Sequence, residues 1–202
     1  MIFYKINMFR SVMKIPLYFG LLILFSTPVF PDWTLVNEES RINFISIKAS
    51  HIAEIHTFEE LSGSVKNSGE AQVIINLASL ETLIPIRNER MGNLLFETKL
   101  YPTATFRLGV DLQTILLTEV GKSLDLTYRG VLELKSKQFL IPIKLSVTRL
   151  GNESFSVTSS EPLLLNADTL GLSGGIESLR VIAGLPSISK SVSVTFSLIF
   201  RQ

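Results

Sequence analysis

The chain has 202 residues, of which 46% are hydrophobic and none is cysteine, so disulfide bonds and thiol chemistry are excluded. Its formal net charge is +1, from 19 basic and 18 acidic residues. The first 31 residues contain Lys5, Arg10 and Lys14 but no acid, which leaves 16 basic and 18 acidic residues and a charge of −2 beyond them. A slightly acidic domain without a cluster of Lys and Arg predicts no nucleic-acid partner.

The N-terminal segment is typical of an export signal. Its basic start is followed by an apolar run of eleven residues, Ile15 to Phe25, which is shorter than the roughly 20 that span a bilayer. We predict a cleaved signal peptide over residues 1–31 and one mature domain over residues 32–202, located in the periplasm or secreted. An uncleaved membrane anchor is the alternative, because residues 26–31 lack a clear small-x-small cleavage site. The absence of cysteine excludes a lipid-modified lipoprotein.

Apolar and polar residues alternate with a period of two from Trp33 onward, which predicts antiparallel strands. About eight are predicted, over residues 41–49, 52–58, 71–77, 104–111, 124–134, 139–147, 154–165 and 191–200. The two long runs on either side of the polar residues 135–138 are predicted to form a hairpin. Pro142 has no N–H group, which predicts an edge, a bulge or a barrel rim at that point.

Two stretches depart from this alternation. A short helix or irregular cap is predicted after Pro85, where Met91, Leu94 and Leu95 have helical spacing. A second helix is predicted within residues 171–184, packed on the sheet or closing a barrel end, and a helix bound to a membrane surface or a partner is the alternative. Its apolar stripe would consist of Ile176, Leu179, Ile182 and Ala183.

Residue types for catalysis and metal binding are scarce. The two histidines, His51 and His56, are five positions apart on a predicted strand and therefore face opposite sides of the sheet. The glycine-rich residues 171–175 match neither phosphate-loop pattern and lack the lysine. We therefore predict that the protein is not an enzyme and uses no metal or cofactor.

About eight antiparallel strands in one domain predict an up-and-down barrel or a sandwich. The interior of an eight-stranded barrel is either filled by its own side chains or holds one small or slender ligand, and apolar alternation is compatible with both. Inward faces that are apolar would favour a hydrocarbon over a charged metabolite, because each buried methylene contributes about 0.8 kcal/mol.

A series of short segments along the chain has a distinctive order. The segments are Trp33, Ser40-x-Ile42-x-Phe44, Leu61-Ser62-Gly63, Ile84 to Met91, Leu95-Phe96, Tyr101 to Phe106, Gly130 to Leu134, Phe139 to Val147, Leu165 to Asp168 and Leu170 to Leu172. In this order they resemble the YceI-like family. The resemblance covers Trp33 to Phe200, and its most specific part runs from Arg87 to Phe106. Many members have an Arg-Asp pair where this chain has Arg87-Asn88, and a shorter segment in place of residues 174–185.

The resemblance implies an exported, all-β, lipocalin-like antiparallel barrel with one or two short helices. Family members with a known ligand hold a polyisoprenoid or a related amphiphilic chain such as a quinone tail, and the family is not known for catalysis. We therefore expect an apolar, isoprenoid-type or quinone-like lipid as the partner, together with transient contact with a membrane. The alternative is a non-enzymatic envelope or stress-related interaction protein with a packed barrel and no ligand.

The candidate ligand-binding residues come from the inward faces of the predicted strands. Tyr128 is expected to form a hydrogen bond with a head group. Arg87 either meets a polar head group at the barrel mouth or pairs with an acid. The predicted cavity lining is Phe44, Phe106, Leu126, Tyr128, Leu132, Phe155 and Phe196.

Overall fold

The computed structural model describes residues 32–202, so the predicted signal peptide at residues 1–31 lies outside the described residues. The strands are β1 (Trp33–Leu35), β2 (Arg41–Lys48), β3 (Ile52–Phe58), β4 (Leu61–Val65), β5 (Glu70–Asn76), β6 (Leu80–Glu81), β7 (Thr103–Gly109), β8 (Ser123–Leu134), β9 (Lys137–Arg149), β10 (Ser154–Ser159), β11 (Leu163–Asn166) and β12 (Ser191–Arg201). The helices are α1 (Pro85–Met91), α2 (Leu112–Leu117) and α3 (Ser173–Ile182), with a π-helical segment at Gly92–Phe96 and short 3-10 turns at Asn37–Glu39 and Leu77–Ser79. No helix within residues 32–202 is long and apolar enough to cross a membrane.

The strands form a closed antiparallel barrel with eight successive strand positions, which we call staves, and four of these staves consist of two strands each. One of the four consists of β5 and β6, which pair with β4 and β3 respectively. β1 and β2 both pair with β12. On the side away from β12, β1 pairs with β4 and β2 pairs with β3. β10 and β11 likewise both pair with β12. Each stave pairs with the next one along the chain, and β12 closes the ring. The predicted eight-stranded lipocalin-like barrel is therefore confirmed.

The predicted hairpin is present as β8 and β9, which pair along their whole lengths. Its turn has only two residues, Lys135 and Ser136, with φ angles of 49° and 59°. Two successive positive φ angles give a turn whose twist matches that of the flanking strands. Pro142 is paired with β8 opposite Arg129, but β9 pairs with β10 only from Leu145 onward. Pro142 therefore lies where one side of β9 has no strand partner, which suits a residue without an N–H group.

Helices cover both ends of the barrel. α1, the π-helical segment and α3 lie at the end where β2 finishes and β12 begins, which we call the α1/α3 end. There Arg87 of α1 contacts Glu54 of β3, and a Cβ atom at Gly175 of α3 would lie 2.6 Å from the carbonyl oxygen of Leu94. α2 lies at the opposite end, the α2 end, where Arg149 at the end of β9 donates to the carbonyl oxygen of Leu116.

The two predicted helices are present, and the third, α2, has no counterpart in the sequence prediction. The apolar stripe of α3 packs only in part. Ile176 is buried and Leu179 is half-buried, whereas Ile182 and Ala183 are exposed. Only the first half of α3 therefore closes the barrel, and its last turn extends beyond the core.

Candidate functional site

The barrel encloses an apolar cavity of about 270 Å³. Every strand except β1 and β6 contributes to its wall, together with α2, α3 and the π-helical segment. Of the described residues that line it, Tyr128 alone carries a polar atom in its side chain. The wall offers dispersion contacts and hydrophobic burial along its length, and a hydrogen bond at only one point.

Aromatic side chains narrow the cavity at the α1/α3 end. The ring centroids of Phe44 and Phe58 are 5.6 Å apart, and those of Phe58 and Phe96 are 5.8 Å apart with an edge-to-face geometry. Ile176 of α3 completes this part of the wall. The α1/α3 end of the cavity is thus closed by packed side chains from strands and helices together.

A second aromatic cluster closes the α2 end. The rings of Trp33 and Phe155 are 4.6 Å apart, and Phe155 stacks on Phe200 at 5.3 Å. Trp33 is buried behind the wall, while Phe155, Phe200 and Ile115 form the wall itself. The cavity therefore lies between two aromatic layers.

The structure brings most of the predicted lining residues together. Leu126 packs against the core beside the cavity, but it is not part of the cavity wall. Arg87 lies at the α1/α3 end, also outside the wall. Contact with a lipid stays a prediction for all of these residues. The predicted residues that line the cavity are Phe44, Phe106, Tyr128, Leu132, Phe155 and Phe196.

The interior faces of β2 and β3 change from apolar to polar towards the α1/α3 end. Glu54 accepts hydrogen bonds from Lys48 at 2.9 Å and from Arg87 at 2.8 Å. Burial acts to raise the pKa of Glu54, but these two cations outweigh it and hold the pKa below its ordinary value. The carboxylate is therefore ionised and already paired at neutral pH.

His56 is the buried member of this polar group. Its Nε2 atom lies 2.8 Å from the Ser46 hydroxyl, and its ring is 5.1 Å from that of Phe44. Its Nδ1 atom is buried and has no hydrogen-bond partner among residues 32–202. Burial, helped by the positive charge of Arg87, lowers the pKa of His56. The imidazole is therefore neutral at neutral pH.

Arg87 holds the start of α1 against the barrel. Its Nη1 donates to Glu54, its Nε donates to the Thr82 hydroxyl at 2.9 Å, and its Nη2 donates to the Thr82 carbonyl oxygen at 2.6 Å. Asn88 accepts from the backbone N–H of Thr82 at 3.0 Å. Of the two roles expected for Arg87, the structure shows the ion pair with an acid.

The cavity wall also includes residues that the sequence prediction missed. Ile115 of α2 and Leu170 and Leu172, in the connection before α3, all line the cavity. The sequence contains one signal for α2, which is Asp111, because aspartate is favoured at the N-cap of a helix. In the structure its side chain accepts a hydrogen bond from the backbone N–H of Thr114 at 3.2 Å. The connection before α3 has no comparable periodicity.

Comparisons with known proteins agree with this architecture. A family model described as YceI-like domain matches residues 33–200. Among solved structures, a polyisoprenoid binding domain from Saccharophagus degradans, implicated in plant cell wall breakdown, is 38% identical with a TM-score of 0.82, and the match covers 84% of this chain and 97% of that one. A search of curated proteins finds no match.

Two more distant structures share the fold. BcnA from Burkholderia cenocepacia is 19% identical with a TM-score of 0.64, over 82% of this chain and 98% of that one. The YceI protein of Campylobacter jejuni is 14% identical with a TM-score of 0.52, over 73% of this chain and 84% of that one.

Proposed function

The chain belongs to the YceI-like family, and on that basis we propose that it binds an isoprenoid-type or similarly amphiphilic lipid inside its barrel. The observation that carries the proposal is the apolar cavity of about 270 Å³ between the two aromatic layers. The 38%-identical relative is described as a polyisoprenoid binding domain, which supports a ligand of the same class here.

The energetics of the cavity favour an apolar occupant. At about 24 cal/mol per Å³, an unfilled apolar cavity of 270 Å³ costs on the order of 6 kcal/mol. That cost is comparable with the whole stability of a typical domain, about 5–15 kcal/mol. Each methylene of a hydrocarbon placed there contributes about 0.8 kcal/mol. The cavity therefore counts against the alternative of a fully packed barrel that acts only through its surface.

The proposed role is binding rather than catalysis. The YceI-like family is a family of binding proteins. Among residues 32–202, no three His, Asp or Glu side chains group as metal ligands would. The Glu54 carboxylate, which a lipid-modifying enzyme could use, is already paired with Lys48 and Arg87.

The proposal includes export and transport. An apolar run preceded by basic residues supports export to the periplasm or beyond through a cleaved signal peptide. A protein that carries an isoprenoid or quinone-like lipid through water would collect and deliver it at a membrane, so transient membrane contact forms part of the same proposal.

Titration of the lipid-free protein tests the proposal. Geranylgeraniol, a prenyl alcohol, is expected to bind with one molecule per chain. At a ligand concentration a hundred times Kd, binding adds about 2.7 kcal/mol to the stability, which raises Tm by about 5 to 10 °C. Absence of both saturable binding and a shift in Tm, for geranylgeraniol and for ubiquinone analogues alike, would overturn the proposal.

A further inference from the structure

The pairing between β7 and β8 stops before the α2 end of the barrel. These two strands pair only at Thr105, Phe106 and Arg107, opposite residues 133, 132 and 131. β7 continues to Gly109 and stays paired with β5 there, and β8 begins at Ser123 and stays paired with β9 there. The first part of β8, residues 123–130, therefore has no strand partner on its β7 side among the described residues.

An external groove of about 510 Å³ lies over this gap. Leu108 and Val110 line both this groove and the internal cavity. Two side chains thus form a wall shared by the interior of the barrel and the solvent-facing groove. At this point a connection between the two would require these side chains to move, but no pair of hydrogen-bonded strands to separate.

The groove carries a positive charge that nothing in the described part of the chain neutralises. Arg107 and Arg129 both line the groove. Arg107 donates to Glu133 at 3.0 Å, and the groove residue Glu70 is paired with Lys66 at 2.7 Å. Arg129 is exposed and forms no ion pair or hydrogen bond with any of residues 32–202. An exposed guanidinium without a partner can bind a phosphate or a carboxylate through two parallel hydrogen bonds.

The inner side of the gap carries the polar atom of the cavity wall. Tyr128 precedes Arg129 on β8, so its side chain lies on the opposite face of the strand and lines the cavity. Its hydroxyl group has no hydrogen-bond partner within the described residues. A polar group inside the barrel and a free cation outside it therefore lie on adjacent residues at the gap.

We propose that the polar end of the bound amphiphile leaves the barrel between β7 and β8, and that Arg129, with Arg107 beside it, holds an anionic head group in the external groove. The inference rests on the proposed function, because it requires a hydrocarbon chain in the cavity. The proposed ligand is a hydrocarbon chain that ends in an anionic group. Prenyl phosphates and fatty acids both have this structure.

The first experiment compares ligands with and without the anion. Lipid-free wild type is expected to bind geranylgeranyl phosphate about tenfold more tightly than geranylgeraniol. Arg129→Gln is expected to bring this ratio close to one without changing the Kd for geranylgeraniol. Arg90→Gln, which removes an exposed arginine of α1 at the other end of the barrel, is the matched control and is expected to keep the ratio. Oleate and oleyl alcohol, measured in parallel, show which source of the anion is preferred.

The outcomes separate the two proposals. If Arg129→Gln keeps the wild-type ratio for both pairs of ligands, or if Arg90→Gln lowers it equally, the head-group site is overturned while lipid binding stands. If neither the alcohols nor the anionic ligands bind to the wild type, the proposed function fails, and the inference fails with it.

The second experiment locates the head group while both arginines are kept. The chain has no cysteine, so single cysteines can be introduced. Cβ atoms built at Gly109, in the groove, and at Gly174, in α3, meet no atom within 4 Å. Bound geranylgeranyl phosphate is expected to slow alkylation of the Gly109→Cys variant severalfold and to leave that of Gly174→Cys unchanged. The reverse pattern would place the head group at the α1/α3 end and overturn the proposal.

Discussion

The ring of Phe106 lies over the backbone of Gly130 on the neighbouring strand, so that a Cβ atom at Gly130 would be only 2.1 Å from Cζ of the ring. Phe106 lines the cavity and is paired with Leu132, one position further along the same face of β8. The glycine therefore lets a large aromatic side chain lie flat against the barrel wall. This arrangement keeps the ring of Phe106 out of the space that the lipid is proposed to occupy.

Gly130→Ala is expected to force the Phe106 ring inward. We expect a loss of about 1–3 kcal/mol in the free energy of unfolding, as for other overpacked cores, and weaker binding of geranylgeraniol. Chemical denaturation and ligand titration measure the two effects. Gly174→Ala is the control, because it meets no atom within 4 Å and replaces a helical glycine by a better helix former. Equal stability of the two variants would contradict the role assigned to Gly130.

Filling the cavity is expected to weaken lipid binding without unfolding the protein. Val73 lines the cavity from β5, whereas its neighbour Ile74 lies outside the cavity wall. The larger ring in Val73→Phe would displace about two methylenes of ligand, at about 0.8 kcal/mol each, so Kd for geranylgeraniol should rise roughly tenfold. Ile74→Phe should leave Kd unchanged. Similar affinities for the two variants, measured by calorimetric titration, would indicate that the lipid binds elsewhere.

The buried His56 is expected to make stability depend on pH. Its pKa is lowered in the folded protein by burial and by Arg87, so the unfolded chain binds a proton that the native protein does not. Native stability is therefore full above the ordinary histidine value of 6.5 and is lost as the pH falls through 6.5 towards the folded-state pKa. Urea denaturation between pH 8 and pH 5 measures this slope.

Two variants test whether His56 causes this dependence of stability on pH. His56→Gln is expected to flatten it, because glutamine does not titrate, and His51→Gln, at the exposed turn after β2, is expected to retain it. Glu54 also has a lowered pKa, but its contribution to stability is lost only as the pH falls through 4.5 and below. A slope that persists in His56→Gln would contradict the assignment.

The ion pair of Arg87 is expected to stabilise the fold without contributing to lipid affinity. Arg87→Met removes hydrogen bonds to Glu54 and Thr82 in a partly buried setting, which should cost about 1–3 kcal/mol in the free energy of unfolding. The Kd for geranylgeraniol should stay within about twofold of wild type, because Arg87 is not part of the cavity wall. Arg90→Met, on the exposed side of α1, is the control. A selective loss of affinity would restore Arg87 as a head-group contact.

The staves of the barrel were predictable where the alternation is long. β8 and β12 have 12 and 11 residues, and apart from Val131 and Ile199 their apolar residues all face one side. β1 and β4, with 3 and 5 residues, are too short for a period of two to be distinguished from chance. The predicted strand at 154–165 is divided into β10 and β11, which stop on either side of Glu161-Pro162.

The cavity wall was predictable from the same alternation only where a strand supplies it. Phe44 and Phe196 follow from the period of their strands, and both line the cavity. Leu126 has the same period, yet it packs beside the cavity, because alternation gives the face of a residue and not its distance from the barrel axis. The gap between β7 and β8 depends on where a ladder of hydrogen bonds stops, and alternation does not encode that.

The content of the barrel in the protein's own cells tests the central claim most directly. The chain is purified from its native host under mild conditions, its mass is measured by native mass spectrometry, and the complex is then extracted with organic solvent. We predict one isoprenoid-type or similarly amphiphilic molecule per chain in the wild type, and much less in Val73→Phe than in Ile74→Phe. A mass equal to that of the bare polypeptide, with no apolar molecule in the extract, would contradict the account.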